Sequence, residues 1–292
     1  MTRTVVVFGA AGQLGIELIR QLRARHYAVA AWDRSQVDIT NAAAVERALA
    51  RSDPEVVFNA AAYNQVDVAE KEPQAAFLVN ALAVRNLAVA SRQVDARFVH
   101  FSTDHVFDGA ARRPYTETDI PHPLSAYAVS KLAGELYAQA YLERPLIVRT
   151  SGVFGIGGLT TARGNFVELM LRLAAAGQPI RVVEDYVASP TFAPLLAERT
   201  IDLVERGLYG VFHIAGGTPI SWYDFARSVF EIAGIQAPLQ PTNEREWRTP
   251  ARRPKYSALS NSRMEQAGLP AMPPLRQALE EYFARRAGQT QV

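Results

Sequence analysis

The stretch SAYAVSK, Ser125 to Lys131, sets a tyrosine four residues ahead of a lysine, with small residues between. Four residues is about one helical turn, so in a helix Tyr127 and Lys131 share a face. A nearby ammonium favours phenolate and lowers a phenol pKa that starts near ~10, which makes tyrosine a usable proton donor at neutral pH. Both residue types are also ordinary on a helix surface. The pair alone decides nothing.

Two further groups have chemistry to offer. GAAGQLG has glycines at 9, 12 and 15, directly after a β-branched run and before an amphipathic one. A turn without Cβ atoms lets the backbone approach a pyrophosphate, and the helix N-terminus that follows, at Gln13 and Leu14, offers unpaired N–H groups to that anion. The spacing is G-x-x-G-x-x-G rather than the usual dinucleotide fingerprint. Further on, Asp33 can bind a ribose 2′-hydroxyl and favour NAD, while Arg34 can accept a 2′-phosphate and favour NADP. Asp38 and Ile39 can contact adenine, or Asp38 can cap the next helix. The third group is STDHVFDG, in which Thr103 and Asp104 follow a strand whose carboxyl end should open onto the cofactor crevice.

Composition narrows the class. The 292 residues carry 31 Lys and Arg against 29 Asp and Glu, without a block of like charge, so neither nucleic acid nor an anionic membrane is an expected partner. There are no cysteines, which removes disulfides, thiol nucleophiles and cysteine-bound zinc. The histidines at 26, 100, 105, 122 and 213 lack metal-ligand spacing, and a magnesium ion has no support in the sequence beyond the general chance of a carboxylate site. No leader and no span of about 18 apolar residues is evident, so the expectation is a cytoplasmic protein. Oligomeric state is left open, a homodimer included.

The elements that must position these groups follow from periodicity. Apolar runs at 4–8, 27–32, 55–60, 97–102 and 145–150 read as strands, and amphipathic segments between them as helices, with Thr40 or Asn41 capping one. Near-continuous apolar strands separated by helices imply a doubly wound parallel α/β sheet of Rossmann type. We therefore expect a dinucleotide-binding domain over 1–150 and a smaller mixed lobe over 151–292, with some strands near 180–215 rejoining the main sheet. The lobe begins with the glycine-rich loop GVFGIGGLTTARGN and includes helices near 194–206, 221–233 and 274–286. The proline-rich stretch 238–256 cannot be regular helix.

Taken together, Gly9 to Gly15, NAAAYNQVDVAE (59–70), STDHVFDG, Tyr127 with Lys131, VRTSGVFG (148–155), SPTFAPLLA (189–197), FHIAGGTPISWYDFA (212–226) and RRPKYSAL (252–259) resemble the dTDP-4-dehydrorhamnose reductase family of extended short-chain dehydrogenase/reductases. The resemblance covers nearly the whole chain and implies hydride transfer from NADPH or NADH to C4 of a nucleotide-linked 4-keto-6-deoxy sugar. It implies that Tyr127 protonates the developing alkoxide, that Lys131 lowers its pKa and holds the nicotinamide ribose, that Thr103 hydrogen-bonds the carbonyl, and that Asp104 orients the sugar. Ala61, Ala62 and Tyr63 would line the cofactor. Asn80 would either support Lys131 or pack inside its helix. Arg252, Arg253 and Lys255 either meet the substrate diphosphate or remain solvated, and Trp222, Tyr223 and Phe225 read as core of a helix capped by Ser221.

The chain departs from the family at three places. His105 replaces a tyrosine, Gly152 a tryptophan that would offer a sugar-stacking surface, and Leu195 an acid. A sugar-nucleotide epimerase or dehydratase is the competing enzyme; elimination generally needs Thr-Asp-Glu, and here the third residue is His105. The non-catalytic alternative is an NADP-binding regulatory subunit of the methionine adenosyltransferase beta type.

Overall fold

A computed structural model describes residues 3–161 and 164–289; Ala162 and Arg163, inside the glycine-rich loop, lie outside the described residues. The first half builds β1 (Thr4–Phe8), α1 (Gln13–Ala24), β2 (Ala28–Trp32), α2 (Ala42–Ser52), β3 (Val56–Asn59), α3 (Val66–Ala69), α4 (Pro73–Phe77), α5 (Ala83–Gln93), β4 (Arg97–Thr103), α6 (Ala126–Tyr141) and β5 (Leu146–Thr150). Then follow α7 (Phe166–Ala175), β6 (Ile180–Val183), β7 (Val187–Ala188), α8 (Ala193–Glu205), β8 (Gly210–His213), β9 (Ile220–Ser221), α9 (Trp222–Ala233), β10 (Leu239–Thr242), α10 (Ser262–Gln266) and α11 (Leu275–Gln289).

Six strands form one parallel sheet in the order β2-β1-β3-β4-β5-β8. Alternation along the strands separates two cores. Val5, Val7, Phe58, Val99 and Val148 pack toward α1 and α8, whereas Val6, Phe8, Val57, Phe98 and Ile147 pack toward α2 and α5. Covering both faces is what the continuous apolar runs require. The chain reverses direction across the sheet between β1 and β3, and a crevice opens at that switch beyond the strand carboxyl ends.

The late strand β8 pairs with β5 and extends the sheet, while β6 pairs with β10 in a separate two-stranded sheet. Strand β10 lies within the proline-rich stretch, where Pro241 and two polar residues hide it from pattern reading. A third core, with Phe154, Phe192, Phe225 and Tyr282 at its centre, holds α7, α9 and α11 together.

From Pro73 to Gln93 the helix is continuous through a π-helical turn at Leu78–Leu82. Contrary to the sequence reading, this segment is long and apolar enough by composition to cross a membrane; half of its most apolar window is buried inside the fold, as in a core helix. The π turn exposes the Asn80 carbonyl to α6, which approaches so closely at Gly134 that a Cβ there would lie 2.2 Å from that oxygen.

Candidate active site

The glycine turn forms the floor of the crevice. Gly9 takes φ +79°, and its amide donates to the Trp32 carbonyl at 3.0 Å. A Cβ on Gly9 would meet Ala60 at 2.6 Å, and one on Gly15 would meet the Gly9 oxygen at 2.1 Å. These two glycines therefore let the turn fold back on itself and against the end of β3. Gly12 caps α1 without a side-chain hydrogen bond, so the first N–H groups of the helix, at Gln13, Leu14 and Gly15, have no intrahelical partner. Gly12, Gln13 and Leu14 line the cleft. Asn165 fixes the Gln13 side chain with a 3.1 Å hydrogen bond.

Residues 33–39 lie beside this turn rather than on the cleft wall. The exposed Asp33 carboxylate accepts from the Ser35 hydroxyl and amide, which hold it below the usual carboxylate range. The Arg34 side chain is 87% exposed and only 3.6 Å from Asp38. Asp38 is bound to the Thr40 amide and hydroxyl, and Ile39 is buried in the second core. Among 61–63, Ala62 lines the cleft, whereas Ala61 packs against the second core and the Tyr63 ring against Ala69, Ala76 and Tyr127. Asn80 neither bonds Lys131 nor serves only as packing. Its amide clamps Tyr63, accepting from the backbone N–H at 2.8 Å and donating to the carbonyl at 3.0 Å, and it donates to Ser130 Oγ.

At the end of β4 the proton-handling groups converge. Ser125 caps α6, and Tyr127, Lys131 and Glu135 follow at one-turn intervals on a buried face. The Tyr127 hydroxyl lies near Thr103, and Tyr127, Lys131, Thr103, Asp104 and His105 all line the same cleft as α1's N-terminus. Lys131 Nζ donates to the Phe101 carbonyl at 2.6 Å, leaving two ammonium protons. Behind it, Glu135 accepts from Ser102 Oγ at 2.5 Å and from Arg149 at 2.7 Å.

Electrostatics differ from the simple expectation that lysine makes the phenol acidic. Burial pushes Tyr127 up to about 12, with the Thr103 hydrogen bond opposing and the Asp104 charge adding. Burial brings Lys131 down to about 8 against the favourable charge of Glu135. With its ammonium held by a backbone carbonyl, Lys131 does not offset the desolvation of the phenol. His105 meets Tyr127 edge-on, with centroids 5.7 Å apart, and burial keeps its imidazole below the usual value.

The opposite wall comes from the second half of the chain. Asp104 accepts from Thr103 Oγ1 at 3.1 Å, Ser151 Oγ at 2.8 Å and Ser257 Oγ at 2.5 Å, which ties β4, β5 and the C-terminal segment together. Arg253 reaches the cleft but is paired bidentately with Asp67 at 3.0 and 2.8 Å. Lys255 is engaged by Asp185 and Glu244, and Arg252 is exposed. Ser221 caps α9 and Phe225 is fully buried; Trp222 and Tyr223 are partly buried and pack against the third core, and the Trp222 indole in addition lines the cleft above Gly152. Leu195 packs at the junction of the first and third cores.

Sequence reasoning missed Glu135, Arg149, Ser151, Tyr186, Ser257 and Gly134. Glu135 had a signal, being one turn beyond Lys131 on the same face. The others depend on contacts between distant segments. Among the described residues no group of three His, Cys, Asp or Glu side chains converges to hold a metal ion.

The crevice fits a dinucleotide. Its floor is free of Cβ atoms at Gly12, a helix N-terminus lies on it, and Thr150 Oγ1 and His105 Nδ1, on residues of its wall, are buried without hydrogen-bond partners among the described residues.

Residues 3–287 match the family described as RmlD substrate binding domain. The chain is 40% identical over 294 residues to the dTDP-4-dehydrorhamnose reductase of Mycobacterium tuberculosis, covering 99% of this chain and 95% of that one. It is 38% identical to the spore coat polysaccharide biosynthesis protein SpsK of Bacillus subtilis, over 97% of this chain and 98% of that protein. The crystal structure of dTDP-4-dehydrorhamnose reductase from Bacillus anthracis in complex with NADP superposes with a TM-score of 0.93 at 35% identity, covering 98% of this chain and all of that one.

Proposed function

The chain belongs to the RmlD family of dTDP-4-dehydrorhamnose reductases, among the extended short-chain dehydrogenase/reductases, and on that premise we propose that it reduces dTDP-4-dehydrorhamnose to dTDP-L-rhamnose with NADPH. The observation that carries this reading is the convergence of Tyr127, Lys131 and Thr103 on one cleft with the unpaired N-terminus of α1. A bound reduced nicotinamide supplies the hydride that forms the new C4–H bond. Tyr127 Oη gives its proton to the ketone oxygen as the C=O π bond breaks, so ketone, hydride and proton together make the 4-hydroxyl. Thr103 Oγ1 orients that oxygen, and Lys131 holds ribose hydroxyls with its two remaining protons.

Cofactor choice rests on Arg34. Its guanidinium is largely solvated, with one long contact to Asp38, so it can turn onto a 2′-phosphate, whereas the Asp33 carboxylate is already engaged by Ser35. This favours NADPH. The diphosphate of the sugar nucleotide leads out of the cleft past Tyr186, whose ring also borders a second cavity lined by Arg245, Arg248 and Arg252. Among the described residues no acid pairs with those three guanidiniums, unlike Arg253 and Lys255.

Purified protein is expected to consume NADPH when dTDP-4-dehydrorhamnose is added, followed by the loss of nicotinamide absorbance. Tight NADPH binding with no turnover of this or any other 4-keto-6-deoxy sugar nucleotide would overturn the reading in favour of a regulatory nucleotide-binding subunit.

A further inference from the structure

Gly152 follows β5 with φ +50°, in the left-handed region that side chains rarely adopt. A Cβ placed there would come within 3.3 Å of Trp222 Cη2 and 3.4 Å of Pro190 Cα. The backbone at 152 is thus the bed on which the indole lies, and both residues line the cleft with Thr103, Asp104, Tyr186 and Val187.

The indole is held from several sides. Trp222 is the first residue of α9, immediately after Ser221, which pairs with Val187 in the antiparallel β7–β9 ribbon. Its amide donates to the Tyr186 carbonyl at 3.1 Å. Phe166 meets the ring at 4.8 Å and 63°, and Phe225 lies 6.0 Å away. A large ring fixed by backbone pairing and two aromatic neighbours loses little entropy when something stacks on it. Trp222 shares the cleft with Thr103 and Asp104, the residues that meet the sugar in the proposed reaction.

Resting on the reductase reading above, we infer that Trp222, seated on Gly152, is a specificity-determining residue that recognises the apolar face of the 6-deoxyhexose of the substrate. The C–H groups of a pyranose ring and its C5 methyl present a surface that an indole can cover, whereas the thymidine and the phosphates do not need it. The residue therefore discriminates the sugar and contributes nothing to nucleotide affinity.

The test uses stable ligands and full-length protein. Dissociation constants for dTDP, dTDP-L-rhamnose and NADPH are measured by calorimetry for wild type, Trp222→Phe and Trp222→Leu. Trp222→Leu should weaken dTDP-L-rhamnose about tenfold, the scale of one aromatic contact (about 1.4 kcal/mol), and leave dTDP and NADPH within twofold. Trp222→Phe, which keeps a ring against Phe166, should lose less than Trp222→Leu. In turnover the leucine variant should raise KM for the keto sugar with kcat largely kept. Unchanged dTDP-L-rhamnose affinity in Trp222→Leu, or equal weakening of dTDP, NADPH and dTDP-L-rhamnose, would overturn the inference. A wild-type protein that binds dTDP-L-rhamnose no better than dTDP, and turns over no keto sugar, would instead sink the reductase reading itself.

Discussion

Replacing Tyr127 by phenylalanine removes one oxygen from a ring that is 7% exposed and lies near Thr103. Losing a positioned general acid costs about 10²–10⁴ in rate, which is about 2.7–5.4 kcal/mol of transition-state stabilisation. The structural cost is much smaller. Thr103 Oγ1 still has Asp104 Oδ1 at 3.1 Å, so no buried donor is left unpaired. A net loss of about 1 kcal/mol follows, lowering Tm by about 2 °C for a chain of this size. Lys131, which meets the cofactor in the proposed arrangement, keeps its bond to the Phe101 carbonyl, so NADPH affinity should hold within about twofold. The assay is NADPH consumption with dTDP-4-dehydrorhamnose, alongside fluorescence titration of NADPH and a thermal melt. The variant retaining more than a tenth of wild-type kcat would refute the reasoning. So would equal losses of rate and NADPH affinity.

Four other outcomes are expected. Arg34→Ala should raise the dissociation constant of NADPH about tenfold more than that of NADH; equal losses would take Arg34 out of the site. With Lys131 brought down to about 8, wild-type reduction should hold below that pH and decline above it as the ammonium is lost; a rate still rising at pH 9.5 would contradict this. His213 is pushed down to about 3 and His100 also lies well below the usual value, both chiefly by burial, while unfolded histidine titrates near ~6.5. Between those limits the unfolded chain binds more protons, so stability falls as pH falls, by up to about 1.4 kcal/mol per pH unit for each group; His213→Gln should flatten the fall of Tm from pH 7 to 5, and an unchanged slope would clear His213. Gly134→Ala, whose Cβ would sit 2.2 Å from the Asn80 carbonyl, should cost about 1–3 kcal/mol and impair turnover through α6; a Tm within 1 °C of wild type would show that α6 can move away freely.

The sequence made the first five strands and the glycine turn legible because each is coded locally, by a continuous apolar run or by missing Cβ atoms. Tyr127 and Lys131 were readable for the same reason, since one helical turn fixes their relation. What escaped notice is non-local. Arg253, expected either to meet the diphosphate or to stay solvated, pairs with Asp67, 186 residues away. Asn80 clamps Tyr63 through a π turn, a geometry that no side-chain pattern announces. Trp222 falls in an apolar helical run that continues with Phe225, Ala226 and Val229, and the run does not announce that this ring, packed against the third core, also reaches the cleft. The phenol was expected to be acidified by its neighbour, but desolvation outweighs a charge already held by a carbonyl.

The position of β8 has a consequence for how the molecule comes into being. The outermost strand of the main sheet is synthesised some sixty residues after the strand it joins, once α7, β6, β7 and α8 have been made. A nascent chain halted near residue 150 would carry β5 as an open edge, its N–H and C=O groups along one side unanswered and its apolar faces half covered. A fragment ending there should aggregate or demand a chaperone, and adding the remainder of the chain in trans should restore solubility by capping that edge.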